Sequence, residues 1–271
     1  MSTFPLTVII PVHALDAQTT PLLKEALSSV ANQKEAQVEL TVVVIPGEQP
    51  ELEAAVQALV AEQPTSTKFV VALNDEAPIR ADIASQLNAT LPHVTSEYVT
   101  ILELDDQLDE RYVFEMAKHT QAMPEVDGWL PLAVCVDEDL RLLKYGNEAI
   151  WVPKTEEVRP DGTVDAETTE VAPDMLLSGA MLKTSVYADG YGLKGSITLT
   201  FINEFFRRIV ARGAVLRGMG KVLYLHRERR PGSYLYELMV GEAALTQQDS
   251  AYWLDVARKE SAFEVERPLA R

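Results

Sequence analysis

Apolar residues along the chain fall into short β-branched runs, and amphipathic stretches fill the gaps between them. Residues 6–12, from Leu6 to Val12, read as a buried first strand that Pro11 ends. Pro21 then opens a helix, at a position where its missing N–H costs nothing. Leu22, Leu23, Ala26, Leu27 and Val30 give that helix an apolar face. Residues 38–45 predict a second buried strand, closed by Pro46 and Gly47. Residues 51–62 predict a second helix, with Leu52, Ala55, Val56, Leu59 and Val60 inward. Residues 69–73 predict a third strand. Ile79, Ile83, Leu87 and Leu91, spaced by four, mark a third helix. A fourth buried strand starts at Tyr98 and runs straight into three carboxylates, Glu103, Asp105 and Asp106.

Strand and helix thus alternate from residue 6 to residue 106. That pattern predicts an α/β fold with a doubly wound, mainly parallel sheet and right-handed crossovers. In such sheets ligands collect at the carboxyl ends of the strands, which is where the three acids stand. Carboxylates there can hold a divalent cation against a phosphate-bearing substrate. No Gly-x-Gly-x-x-Gly follows the first strand, which argues against the usual dinucleotide fold.

Beyond Asp109 the pattern changes. Tyr112, Val113, Met116 and Ala117 suggest a helix, and residues 128–136 and 149–152 suggest strands of a mixed or antiparallel region. Residues 154–174 hold seven acids and two bases among scattered Thr, Pro and Gly, and read as a surface loop or mobile flap. Residues 175–187 return to apolar character, 199–211 read as a helix and 221–225 as a short strand. Two C-terminal helices are expected over 232–262. The division expected is a domain over 1–232, with halves over 1–109 and 110–232, and a helical extension over 233–271.

With 271 residues, 47% hydrophobic and 24% charged, the chain can bury a sizeable core. A net charge of −17 argues against nucleic-acid binding and against docking on anionic membranes. The one cysteine, Cys135, lies in an apolar run and rules out an internal disulfide. There is no basic leader and no apolar stretch near the ~20 residues that span a bilayer. The expectation is a soluble, cytoplasmic protein. The charge is uneven: between Phe205 and Gly232 stand seven arginines, one lysine and one glutamate. That set is either a solvated face or a pocket for an anion such as a diphosphate.

Taken together, these pieces resemble the family 2 glycosyltransferases of the GT-A fold over roughly residues 6–232. Thr7-Val8-Ile9-Ile10-Pro11-Val12 resembles the opening strand of that family, and residues 22–33 its first helix, ending at Gln33. Asn88 matches an asparagine that precedes the acidic strand. Residues 96–106 match the strand that ends in Asp-x-Asp-Asp. Residues 178–187 resemble the acceptor-side segment, and Arg208 to Gly213 has the spacing of the late helix. Val222-Leu223-Tyr224-Leu225-His226 resembles the closing strand.

The resemblance implies transfer of a sugar from a nucleotide-diphosphate sugar to an acceptor hydroxyl (on a glycan, a protein or a lipid-linked molecule), with inversion. It implies a divalent metal, Mn²⁺ or Mg²⁺, on Asp105, Glu103 and His226. Glu103 stands where the family has aspartate. Pro11, His13, Asn88, Glu103, Asp106, Arg227 and Arg230 are the implied donor-binding residues.

Three stations depart from the family. Ile45-Pro46-Gly47-Glu48 replaces an Asp-Asp-Gly-Ser, Leu87 replaces an arginine, and Phe201-Ile202 falls where the catalytic Glu-Asp belongs. Glu204, or an acid of the 154–174 loop, is then the candidate base. These losses support an alternative, a catalytically inactive GT-A-like domain kept as a binding or structural module in an assembly or homo-oligomer. A nucleotidyltransferase would want a Gly-rich, basic loop after the first strand, and residues 12–16 are neither.

Overall fold

The computed structural model describes residues 2–47, 49–64, 66–74, 83–147, 163–164, 176–189 and 201–228. In chain order these form β1 (Ser2–Pro11), α1 (Thr19–Ala31), β2 (Ala36–Pro46), α2 (Pro50–Ala61), β3 (Phe69–Asn74) and α3 (Ile83–Ala89). A 3₁₀ turn at Leu91–His93 leads to β4 (Tyr98–Ile101), β5 (Gln107–Leu108), α4 (Tyr112–Ala122), β6 (Gly128–Val136) and β7 (Leu142–Gly146). The remaining elements are β8 (Thr163–Val164), β9 (Met181–Lys183), α5 (Thr184–Asp189), α6 (Phe201–Ala211) and β10 (Leu216–Arg227).

These strands form one sheet in the order β3-β2-β1-β4-β9-β6-β10-β5, with β7 beside β6 and β8 beside β10. The long pairings, β1 with β2 and β4, β2 with β3, and β6 with β10, are all parallel. The short strand β9 lies antiparallel between β4 and β6. The fold is the expected α/β, doubly wound, mainly parallel sheet.

Strand alternation sorts the core onto two faces. Leu6, Val8 and Ile10 of β1 pack with Leu23 and Leu27 of α1, Val56 of α2 and Tyr112 and Met116 of α4. Ile9 points the other way, into a layer with Leu87 of α3, Tyr187 of α5 and Phe205, Phe206 and Ile209 of α6. Helices thus cover both faces, as a parallel sheet of β-branched strands requires.

Several boundaries differ from the sequence pattern for identifiable reasons. Helix α1 begins at Thr19, two residues before Pro21, because Asp16 Oδ1 accepts the Gln18 and Thr19 N–H groups at 2.8 and 2.7 Å. Leu22 is only half-buried on that helix, and Ala55 of α2 is exposed. The strand expected over 221–225 is the twelve-residue β10. Its length follows from its partner, since it runs beside β6 from Leu216↔Gly128 to Arg227↔Val136. Gly218 and Gly220 had masked its first half. Two residues of the 154–174 stretch, Thr163 and Val164, are a strand paired with Arg217 and Leu216 rather than loop. Ile79, the strand expected over 149–152, the rest of the 154–174 stretch and the helices expected beyond Gly232 lie outside the described residues.

Gln33 joins the first helix to the acidic end of the sheet. Its Nε2 donates to the Ser29 and Asp109 carbonyls at 2.9 and 2.8 Å, and its Oε1 accepts the Val113 N–H at 2.9 Å. That last bond satisfies an orphan donor in the first turn of α4, whose N-cap residue Arg111 supplies no side-chain bond. Gln33→Ala leaves the buried Val113 N–H and the two carbonyls without this partner. It is expected to cost about 2–4 kcal/mol, read as a lower urea midpoint at unchanged m.

Candidate functional site

The site is built where the chain turns back after β4. The parallel ladder with β1 continues one residue past the strand, with the Leu102 N–H donating to the Ile9 carbonyl at 2.9 Å. A β-turn follows, closed by the Asp106 N–H on the Glu103 carbonyl at 3.1 Å. The chain then reverses as β5, antiparallel to β10, with Leu225↔Gln107 and Tyr224↔Leu108 as partners. Extending that register by one residue sets Asp106 opposite His226.

Asp106 is fully buried. Its Oδ2 accepts the Tyr224 hydroxyl at 2.7 Å and His226 Nδ1 at 2.8 Å, and its Oδ1 accepts the Arg227 N–H at 2.8 Å. Three donors offset the cost of burying the charge. The Tyr224 hydroxyl also accepts the Glu103 N–H at 3.3 Å. Glu103 Oε1 accepts the Ser178 hydroxyl at 2.6 Å. Ser178 is in place because it bridges to Ile101 and because the Gly179 N–H donates to the Ile101 carbonyl at 2.8 Å. Glu103, Asp106 and His226 thereby offer ligand atoms that all lie within 4.8 Å of one another.

The electrostatics follow from this crowding. Burial, together with the charges of Asp106 and Asp105, pushes the Glu103 carboxyl up to about 7; His226 and the Ser178 hydroxyl oppose the shift. Burial alone would lower His226, but the Asp106 carboxylate that it touches, with Glu103 and Glu228, overrides that and pushes it up to about 10. Burial, with Asp106 and Glu103 close by, holds Tyr224 well above its ordinary value, so it stays a neutral donor.

The predicted site residues divide into those the structure brings together and those it does not. Glu103, Asp106 and His226 meet. Asp106 faces inward as the anchor of the cluster, not outward toward a donor. Asp105 is buried at the third position of the turn and is not one of the three clustered residues, because the turn closes its first and fourth positions on each other.

Arg227 is likewise committed within the fold. Its guanidinium donates to Glu25 Oε2 of α1 at 2.7 Å and to the Asp105 carbonyl. Pro11 ends β1, paired with Val44 of β2, and His13 follows it in the chain. Asn88 lies on α3, which packs against β1, β2 and β3. Arg230 lies outside the described residues.

Glu204 is buried on α6. Both its oxygens accept from Arg208, at 2.8 Å from Nε and 3.0 Å from Nη2. It is therefore held in a bidentate ion pair along its own helix, which suits a structural role better than that of a base. Ile202, at the family's acidic position, packs into the apolar layer beneath α6.

Two contributors escaped the sequence reading. Tyr224 lies two residues before His226 on β10, and that i, i+2 spacing puts both rings on one face of the strand, stacked at 6.4 Å. Gly179 has φ +78°, and a Cβ there would sit 2.5 Å from Tyr224 Cδ2. No sequence signal separates that glycine from an ordinary turn glycine.

The donor chemistry fits a divalent cation. The Glu103 carboxylate and the His226 imidazole suit Mn²⁺, and Mg²⁺ asks for more oxygen ligands. Among the described residues, Glu103 Oε2 and His226 Nε2 carry no protein hydrogen bond, whereas both oxygens of Asp106 are engaged.

Gly179→Ala adds a clash with the Tyr224 ring to a left-handed backbone. Its expected cost is about 2–5 kcal/mol, read as a lower thermal midpoint. Glu103 and His226 both hold a proton more tightly in the native state than their ordinary values, 4.5 and 6.5, imply. Each therefore stabilises the fold at low pH and loses that contribution as pH rises, Glu103 between about 4.5 and 7, His226 between 6.5 and about 10. Stability is expected to fall from pH 7 to 10 by up to roughly 1 kcal/mol per pH unit from His226. His226→Gln should remove that part of the slope in urea titrations; an unchanged slope refutes the assignment.

No protein-family model and no curated protein matches the sequence. Solved structures do match the fold. TarS from S. aureus, residues 1–349, superposes with a TM-score of 0.58 at 15% identity, over 84% of this chain and 60% of that one. The same protein in complex with UDP-GlcNAc gives 0.58 at 15% identity, over 87% and 60%. The mannosyltransferase PcManGT from Pyrobaculum calidifontis, in complex with GDP-Man and Mn²⁺, gives 0.57 at 20% identity, over 85% and 58%. The chain thus spans less than two thirds of these relatives. The likeness, together with the doubly wound sheet and its acidic β4 end, makes this a divergent fold of the GT-A glycosyltransferase type.

Proposed function

We propose that the chain is a glycosyltransferase that moves a sugar from a nucleotide-diphosphate sugar to an acceptor hydroxyl on a glycan, a protein or a lipid-linked molecule. The observation that carries this reading is the Glu103–Asp106–His226 group, assembled at the end of β4 in a sheet of GT-A type. Solved neighbours bound to UDP-GlcNAc and to GDP-Man with Mn²⁺ support the donor class.

In this reading Glu103 and His226 of that group hold a divalent cation, Mn²⁺ or Mg²⁺, and Asp105 joins them from the position beside Asp106. When bound, the cation offsets charge on the diphosphate and on the departing nucleotide. Ser178 fixes the Glu103 carboxylate, and Asp106 fixes the His226 ring. Pro11, His13 and Asn88 belong to the donor side, and Arg230 adds cationic charge to the diphosphate region. Inversion requires a carboxylate to take the acceptor proton as the sugar carbon is attacked. Glu204 fills that role only if its pair with Arg208 opens; otherwise an acid of the 154–174 loop does. Residues 1–109 are the nucleotide half and 110–232 the acceptor half.

A second reading, a domain that binds nucleotide sugar or a partner without turnover, is favoured by one observation. Glu204 is the sole acid of α6, and both its oxygens are engaged by Arg208. Among the described residues no helix is long and apolar enough to cross a membrane.

Calorimetric titration with UDP and with GDP, with and without Mn²⁺, tests the proposal. Metal-dependent binding is expected for one of them, weakened at least tenfold by Asp105→Ala. Absence of binding by either nucleotide under both conditions rejects it. Binding without hydrolysis or transfer of any offered UDP- or GDP-sugar supports the second reading instead.

A further inference from the structure

Asp106 is the acid of the cluster whose chemistry is already spent. It is fully buried, and Tyr224, His226 and the Arg227 N–H engage both its oxygens. A carboxylate so occupied is a poor inner ligand. The ring that it holds is well placed for one. His226 is bound through Nδ1 and stacked on Tyr224 at 6.4 Å, so the imidazole is fixed about its long axis and Nε2 stands on the side away from Asp106.

We infer that Asp106 is a positioning residue, the outer carboxylate that orients His226 so that Nε2 meets a divalent cation, and that it stays outside the coordination shell. The inference rests on the metal reading above and sharpens it. A hydrogen bond from a carboxylate to the far nitrogen of a ligating histidine fixes the tautomer and the orientation of the ring, and its loss typically weakens metal affinity by about 10–100-fold. Tyr224 serves the same end, because its hydroxyl holds Asp106 Oδ2 and its ring backs His226. Gly179 gives that ring its space.

The geometry sets Asp106 apart from Glu103. Glu103 accepts one hydroxyl, from Ser178, on Oε1, and Oε2 carries no bond among the described residues. The two acids are the first and fourth positions of one turn but have different tasks: one reaches the ligand, the other holds the residue that does.

The test is a double-mutant cycle on Mn²⁺ affinity, measured by electron paramagnetic resonance of free Mn²⁺ in the full chain. Asp106→Asn and His226→Ala are each expected to weaken Mn²⁺ binding about 10–100-fold. The double variant should be no weaker than His226→Ala alone, since Asp106 acts through His226. A further tenfold loss in the double variant makes Asp106 a ligand and overturns the inference while leaving the metal reading intact.

A metal-free readout stands beside it. The His226 Nδ1 proton should give a slowly exchanging, downfield NMR resonance in the wild type, which His226→Ala identifies and Asp106→Asn shifts or broadens. Absence of that resonance in the wild type overturns the inference even if Asp106→Asn fails to fold. A wild type that shows the resonance but binds no Mn²⁺ overturns the metal reading and the inference with it.

Discussion

The end of the sheet depends on one buried charge. Asp106 has no solvent to stabilise it, so it must take its stabilisation from protein donors, and it takes three from a single strand. Tyr224, His226 and Arg227 lie within four consecutive residues of β10. The carboxylate therefore ties the turn after β4 to the carboxyl end of β10, two strands separated in the sheet by β9 and β6. Removal of the charge would leave a half-buried imidazolium, a buried hydroxyl and a backbone N–H unmatched at once. Polar clusters of this kind fail as a unit, because each member's desolvation is offset only while the others are present.

The same constraint explains why the neighbouring groups behave differently. Glu103 stands at the start of the turn, partly open, with one hydroxyl on it; burial and two nearby carboxylates make its ionisation costly. His226 gains a proton from the same crowding that makes Glu103 retain one. A carboxylate dressed by three donors, a carboxyl poised near neutrality and a cationic ring thus share one corner. Arg227 adds a mechanical link: it reaches past the corner to Glu25 on α1, where Gln107 also donates to Glu25 at 2.8 Å. The corner is braced from the sheet and from the first helix together.

Much of this architecture was legible because buried parallel strands and amphipathic helices write strong periodic signals. β6 was placed to the residue, and the two helix layers follow from the apolar faces of α1, α2 and α4 on one side and α6 on the other. Legibility failed where local sequence and tertiary partner disagree. β10 contains two glycines and a lysine in its first half, and only its long pairing with β6 makes it a strand from Leu216. At the site, the acidic motif pointed to the right turn. It did not say which acids meet, because that depends on the turn's hydrogen bond and on the register of β5, both non-local facts. Arginine enrichment after Phe205 suggested a diphosphate pocket, yet Arg208 and Arg227 are engaged by Glu204 and Glu25. Charge counted along a chain does not reveal which charges the fold has already paired.

The apolar stations near the site have a physical reading of their own. At the late helix Phe201 and Ile202 stand where the resembled family has an acidic pair, and Ile202 adds to the apolar layer with Phe205, Phe206 and Ile209. At the second strand Ile45 is fully buried in the main core. At both places packed apolar surface stabilises the fold, by roughly 25 cal/mol per Å² of apolar area buried. The β4 turn is held by polar contacts instead. Asp106 is locked to three donors, and an apolar residue there would strand all of them. An acid coupled into the fold in this way is expected on stability grounds alone. Asp106 is therefore weak evidence for catalysis. Glu103, half-buried and held by the single Ser178 hydroxyl, is not fixed by such coupling. Its place on the open side of the corner, with a raised proton affinity that burdens the native state above neutral pH, is the stronger argument for a binding role.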